Sequence, residues 1–233
     1  GKAPDARFRS APMQMVRSED GKTTFPAPNG ADGPTVLKLD EDIIELLIAT
    51  GFAEVWLAKE GHSGRIFINF LHKIELPLIY IMYGAMLAGV DGIIVGAGNP
   101  DGLPAICSRL ARQEAVTRSL PVMYAGPGEQ FTIRFDPPTG AGGRLAQAPL
   151  PRPAFLAIAS LEELVKALAM SGSEAPAGFI IEHHTAGGHN ANPVGPLRQD
   201  AERQPIYGEH DEPDLAAIRG IGIPFWLAGG YGS

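Results

Sequence analysis

The apolar and polar positions of this chain fall into blocks that predict strands and helices in alternation. Largely apolar runs predict buried strands at residues 65–71, 92–98, 154–159, 178–181 and 224–228. Stretches of helix-like pattern lie at residues 41–50, 80–88, 104–113, 160–171 and 213–219. Strands that alternate with helices at this pitch predict βαβ units and a parallel sheet, so the expected fold class is α/β.

Capping residues predict where the helices begin and end. Asp40 is expected to be the N-cap of the first helix and Gly51 to stop it, after which residues 53–58 are expected to form a short strand. Ser160, with an acid three residues later, has the pattern of a capping box, and Gly172 would end the helix that it opens.

Two stretches lack a regular pattern. Residues 1–33 are rich in Pro, Gly, Asp and Lys and are interpreted as an irregular arm or linker. Residues 114–153 are interpreted as a long insertion or loop, because glycine and proline are frequent and connections of that length are uncommon inside a compact domain. Residues 34–233 would then form one α/β domain.

Composition and charge exclude several classes of protein. The chain is 45% hydrophobic and 19% charged, as in soluble globular proteins, and its net charge of −7 without a basic stripe argues against a nucleic-acid partner. Residues 76–98 are nearly uncharged, but Pro77, Asp91 and several glycines favour a helix, turn and strand over a membrane span. Cys107 is the single cysteine; it fits a reducing cytoplasm and is interpreted as a buried apolar residue rather than a nucleophile.

Residues 178–189 carry the densest group of titratable side chains. A buried strand is followed there by Glu182, His183 and His184, then Thr185, a Gly-Gly pair and His189, so that three of the six histidines lie within seven positions. Because α/β proteins build their sites at the carboxyl ends of strands, the function is predicted to lie here.

The histidines suggest acid–base chemistry before metal binding. An imidazole can remove or donate a proton near neutral pH. Adjacent His183 and His184 at a strand end are expected to point in opposite directions, and no Cys, Asp or second histidine pair lies nearby at ligand spacing, so no metal site is predicted. The alternative is that these are ordinary polar residues of a loop.

Two further features lie at predicted strand ends. Gly229 and Gly230 follow the last strand, where glycine amides can approach a phosphate closely; a plain tight turn is the alternative. Apart from Arg65 at its start, Asn69 is the one polar residue of the 65–71 run, and its amide either points at a ligand or faces a loop or solvent.

Three motifs resemble the nitronate monooxygenases, formerly called 2-nitropropane dioxygenases, and occur in that family's order. FIIEHHTAGGHNA (residues 179–191) resembles the strand-six motif, and PFWLAGGYGS (residues 224–233) resembles the strand-seven phosphate motif. INFL (68–71) followed by YGAMLAGVD (83–91) is similar to a longer-chain branch of the family. The likeness covers most of residues 50–233.

The resemblance implies a (β/α)₈ TIM barrel that binds FMN without a covalent bond and oxidises alkyl nitronates or nitroalkanes with O₂. It implies that His189 is the base that takes a proton from the nitroalkane carbon or orients the nitronate. Asn69 and Glu182 would face the flavin ring or ribityl chain. The FMN phosphate and ribityl side would be held by Gly187, Gly188, Gly229 and Gly230.

The chain also departs from the family. Glu182 stands where glutamine is common, and His183 and His184 replace smaller residues, which leaves the substrate open. The family begins with a Gly-Gly-Met flavin strand and continues to an eighth strand ending in Gly-Thr. Neither has a counterpart here, so an incomplete barrel from a fragment is expected. Its partners would be a small-molecule substrate and O₂ in the cytoplasm, with a homo-oligomer as one option.

Two alternative functions remain. Flavin-dependent enoyl-thioester reductases of lipid synthesis share this barrel and a similar histidine loop. A non-catalytic module that binds flavin or phosphate is an alternative of another class.

Overall fold

The computed structural model describes residues 34–123, 125–126, 128–143, 148–171, 174–187 and 191–232, together with the backbone of two short N-terminal strands. The elements follow in the order β1 (Val16–Arg17), β2 (Thr23–Thr24), β3 (Thr35–Leu37), α1 (Glu41–Ala58), β4 (Phe67–Leu71), α2 (Glu75–Leu87), β5 (Gly92–Gly96), α3 (Leu103–Ala111), β6 (Val116–Leu120), β7 (Phe131–Phe135), β8 (Ala154–Ala159), α4 (Glu162–Ala169), β9 (Gly178–Glu182), α5 (Leu215–Gly220) and β10 (Phe225–Ala228). Apart from the antiparallel pair β1–β2, the predicted N-terminal arm lies outside the described residues.

A five-stranded parallel sheet forms the centre of the fold, in the order β10-β9-β8-β5-β4. Each strand pairs in parallel with the next of these strands along the chain, and helices occupy several of the connections. The prediction of an α/β fold with a parallel sheet is confirmed. β8 has the predicted bounds, and the other four strands differ from prediction by one or two residues.

The two faces of this sheet are unlike. On one face, side chains such as Val95, Phe155 and Phe179 are fully buried in the cores that the helices share. We call the opposite face the inner face. Ile94, Ile158 and Ile180 at its centre are partly buried, whereas Phe67 on β4 and Trp226 on β10 are 40% and 53% exposed at the two edges. The inner face is therefore apolar but incompletely covered by the described residues.

Helix α1 is longer than predicted. It runs through Gly51 to Ala58, so the expected helix stop at Gly51 and the expected strand at residues 53–58 are both wrong. A Cβ on Gly51 would overlap the backbone carbonyl of Ile81, and a Cβ on Gly84 would overlap that of Ile48. Glycine at position 51 therefore lets α1 and α2 pack backbone to backbone rather than ending a helix. Asp40 does occupy the N-cap position, but its side chain makes no capping hydrogen bond.

The stretch at residues 114–153 contains regular structure that was not predicted. β6 and β7 pair antiparallel there, and β3 adds to β7 in parallel to give a three-stranded sheet. Phe135 at the end of β7 meets the rings of Tyr80 and Tyr83 edge-on, each at 5.2 Å between centroids. Helix α2 consequently packs against α1 and also against this small sheet, within one shared hydrophobic core.

The predicted capping box of α4 is also wrong. The helix begins at Glu162 with Leu161 as its N-cap residue, and no side chain caps it. Ser160 lies one residue earlier, beside a cavity described below. The predicted stop, Gly172, lies outside the described residues.

The stretch at residues 76–98 is a core element. It forms most of α2, a turn and β5, as predicted. Among the described residues, no helix combines the length and apolar character that a membrane crossing requires. Cys107 on α3 is fully buried, as expected, and this burial raises the pKa of its thiol to about 11.

A partly buried polar cluster ties β6 to the start of α2. One guanidinium nitrogen of Arg118 donates to Glu75 at 2.9 Å and lies 2.9 Å from Nε2 of His72. Because a guanidinium only donates, Nε2 of His72 must accept, so the imidazole is neutral. Burial, and secondarily the charge of Arg118, lower the pKa of His72 below its ordinary value of 6.5.

The helix crossing gives the first testable prediction. Gly84→Ala should lower the free energy of unfolding by about 1–3 kcal/mol, because overpacking outweighs the gain in helix propensity of up to ~1 kcal/mol. Gly220→Ala is the matched control, since a Cβ at the last residue of α5 would meet nothing within 4 Å. Urea unfolding checks both variants. Equal stability of Gly84→Ala and the parent chain would contradict the close crossing.

The buried histidine gives a second prediction. Because the folded pKa of His72 is depressed, the unfolded chain binds more protons below about pH 6.5, and stability falls as the pH falls through that window. His72→Asn keeps an acceptor for Arg118 and removes the titration. The variant should lose less stability than the parent between pH 7 and pH 5 in urea unfolding. If the free energy of unfolding changes with pH equally in the two proteins, protonation of His72 is not the cause of the loss of stability.

Candidate functional site

The carboxyl ends of the parallel strands form one edge, and a cavity opens there. Its volume is about 330 Å³, and it lies between the ends of β5, β8 and β9. Small residues form much of its lining, and three of the lining residues are polar, namely Ser160, Glu182 and Asn192; the small residues include Ala97, Gly98 and Ala191. Pockets of a few hundred Å³ with a few polar groups are typical of small-molecule sites.

A second, smaller cavity of about 40 Å³ adjoins the first. It shares Ser160, Glu182 and Asn192 with the larger cavity and adds His184 and Tyr207. The turn that follows β9 and carries His183 and His184, called the histidine turn below, therefore borders the same edge of the sheet as the larger cavity.

A chain of hydrogen bonds links the turns that follow β9 and β10. The backbone N–H of Gly230 donates to Oγ1 of Thr185 at 2.8 Å, and Oγ1 lies 2.7 Å from Nδ1 of His183. Nε2 of His183 lies 2.8 Å from a carboxylate oxygen of Glu212. The backbone N–H of Thr185 also donates to Nδ1, at 3.2 Å, so Nδ1 accepts and Nε2 carries the proton donated to Glu212.

His183 and His184 point to the same side, contrary to prediction. Their ring centroids are 4.0 Å apart, and Nδ1 of His184 lies 3.6 Å from the other oxygen of Glu212. β9 ends at Glu182, and the N–H of Ala186 donates to the carbonyl of His183 in a turn. Adjacent side chains point in opposite directions only where the backbone is extended. The backbone turns at His183, so both rings lie on one side.

Gly229 and Gly230 pack on this turn. Gly229 has φ of +116°, and a Cβ there would lie 2.9 Å from the Cβ of His183. The Gly230 N–H is engaged by Thr185. The close contact between the two turns accounts for glycine at both positions, and a phosphate would have to compete with Thr185 for the Gly230 donor.

The other predicted site residues lie in different places. Glu182 lines the larger cavity. Asn69 is exposed on the inner face of β4, in register with Ile94, and is not among the residues that line this cavity. Gly187 is exposed, with open space around it. Gly188 and His189 lie outside the described residues.

Sequence reasoning missed the partners of the histidine turn. Glu212 and Tyr207 come from the polar connection between β9 and α5, and Tyr207 stacks on the ring of His184 at 4.5 Å. Glu212 is 29 positions beyond His183 and has no periodic pattern around it. Only the folded course of that connection brings its carboxylate to the two imidazoles.

The hydrogen-bond chain predicts the effect of removing one hydroxyl. Thr185→Val should lower the free energy of unfolding by about 1 kcal/mol, because the Gly230 N–H and His183 both lose a partner while the volume is kept. Hydrogen exchange of the Gly230 amide should become faster. Thr185→Ser retains the hydroxyl and is the control. Unchanged exchange at Gly230 in Thr185→Val would show that this bond is not formed.

Comparisons of the chain with models of protein families, with curated proteins and with solved structures give no match.

Proposed function

We propose that this chain binds FMN at the carboxyl edge of its parallel sheet and oxidises alkyl nitronates with O₂. The observation that carries the proposal is the cavity of about 330 Å³ at the ends of β5, β8 and β9. It lies beside Glu182 and Ala191, which belong to the motif that resembles the nitronate monooxygenases. Sites at this edge are the rule in α/β proteins.

The order of the strands supports a TIM barrel as the finer fold. In a doubly wound sheet the strand order reverses at a switch point, whereas the strands of a barrel follow one another around it. The five parallel strands here follow one another in chain order without a reversal. We therefore propose that they form an arc of such a barrel, with the apolar inner face directed to its interior.

The lining of the cavity is suited to the flavin ring and ribityl chain of FMN. The turn at Gly229 and Gly230 is less well suited to the phosphate. Ala97, Gly98 and Ala191 keep the cavity wide, and Glu182 and Asn192 offer polar groups suited to ribityl hydroxyls. Gly230 would hold the phosphate through its N–H only in place of the bond to Thr185. FMN, when bound, supplies the oxidising equivalents, while the protein supplies orientation and electrostatics.

The remaining roles belong to the histidines. His183 is held between Thr185 and Glu212, with both ring nitrogens engaged, so it orders the turn. His189 remains the proposed base that takes the proton from the carbon next to the nitro group.

Flavin binding is the direct test of the proposal. Purified chain mixed with FMN and passed through a desalting column should retain flavin absorbance. Ala191→Trp should reduce the affinity at least tenfold, because the exposed alanine lines the cavity and an indole would fill it. Ala167→Trp, on the exposed side of α4, is the control and should bind as the parent does. Absence of retained flavin in the parent chain would refute the proposal.

Turnover of two substrate forms tests the role of His189. His189→Asn should reduce kcat/KM for the neutral nitroalkane by roughly 10²-fold or more, and affect the preformed nitronate much less. Equal losses with both forms would argue against a base at this position. Consumption of NAD(P)H with an enoyl thioester, and no reaction with nitronates, would favour the reductase alternative.

A further inference from the structure

We propose that His183, His184 and Glu212 form a binding site for one divalent transition-metal ion of the zinc type. The site lies in the turn after β9 and does not depend on flavin binding. One ligand atom from each of the three residues lies within 4.8 Å of the other two.

The two imidazole-to-carboxylate distances lie on either side of the spacing that zinc requires. Nε2 of His183 and Nδ1 of His184 lie 2.8 and 3.6 Å from the two oxygens of Glu212. Ligand bonds of about 2.0–2.1 Å at a tetrahedral centre put neighbouring ligand atoms about 3.3–3.4 Å apart. The three ligand atoms, all within 4.8 Å of one another, would have to rotate toward a common centre to reach this spacing.

The surroundings of the two imidazoles suit ligands. Tyr207 stacks on His184 with an interplanar angle of 13°, and Tyr231 meets the ring of His183 edge-on at 5.4 Å. Metal-bound histidines commonly donate their second ring N–H to an oxygen partner. Metal binding at Nε2 would move the ring proton of His183 to Nδ1, which would then donate to Oγ1 of Thr185, 2.7 Å away, in place of the 3.2 Å bond that Nδ1 accepts from the Thr185 N–H.

Exposure and charge favour entry of a cation. The imidazoles are 15% and 25% exposed and the Glu212 carboxylate is 53% exposed, so an ion can reach the cluster from solvent. Both carboxylate oxygens of the nearby Asp211 accept backbone N–H groups, from Val194 and Gly208. Asp211 therefore adds negative charge beside His184 without becoming a ligand.

The donor set selects the class of metal. Two imidazole nitrogens and one carboxylate suit Zn²⁺ and its neighbours, whereas Mg²⁺ prefers oxygen ligands and water. Three protein ligands leave a fourth position for water or another small ligand, as in open zinc sites.

Titration of the tag-free, chelator-treated chain tests the proposal. Calorimetry should show one equivalent of Zn²⁺ bound and no binding of Mg²⁺, and Co²⁺ should develop the visible absorbance of a tetrahedral complex. Glu212→Gln keeps an oxygen acceptor for the His183 N–H but removes the charged ligand, so Zn²⁺ affinity should fall tenfold or more. His210→Asn changes an exposed histidine outside the cluster and should leave the affinity unchanged.

Three results would overturn the proposal: no Zn²⁺ binding to the parent chain, unchanged binding in Glu212→Gln, or an equal loss in His210→Asn. Circular dichroism of each metal-free variant verifies folding. If Glu212→Gln does not fold, the same titration of His184→Asn tests the proposal. This variant should also weaken Zn²⁺ binding tenfold or more. Each of the first two results would mean that the three residues only stabilise the turn through hydrogen bonds.

Discussion

Parallel pairing of the strands in chain order is the constraint on which the rest of this structure depends. It brings the carboxyl ends of β4, β5, β8, β9 and β10 to one edge. The register of β9 and β10, with Ala228 opposite Glu182, then places the turns that follow these strands in direct contact. The hydrogen bond from Gly230 to Thr185 follows from that register, and it orients Thr185 toward His183.

Close backbone approach is the second organising feature, and it explains glycines that sequence patterns assign to other roles. Gly51 and Gly84 allow α1 and α2 to cross at a distance that no side chain would permit, and Gly229 allows the turn after β10 to approach His183. In each case the requirement comes from a distant part of the chain. At Gly51 a local pattern therefore suggests a helix stop, whereas the folded chain uses the residue for packing.

The sequence predicts this molecule unevenly. The apolar runs of β5, β8 and β9 are visible because the central strands of a parallel sheet have few polar residues. β6 and β7 escaped prediction although buried and exposed residues alternate along β6, because the surrounding glycines and prolines dominate the pattern. The carboxyl edge of the sheet and the place of Glu182 in it were predictable. The pairing of His183 with Glu212 was not, since it depends on the course of a long polar connection.

The central claim is that small-molecule binding takes place at the carboxyl edge of the parallel sheet. Hydrogen–deuterium exchange of the chain with and without FMN tests this most directly, because it reports on each segment separately. Slower exchange is expected in residues 96–98, 182–187 and 191–192, with little change at the amino ends of the strands. Unchanged exchange at these segments, or protection confined to the opposite edge, would contradict the claim.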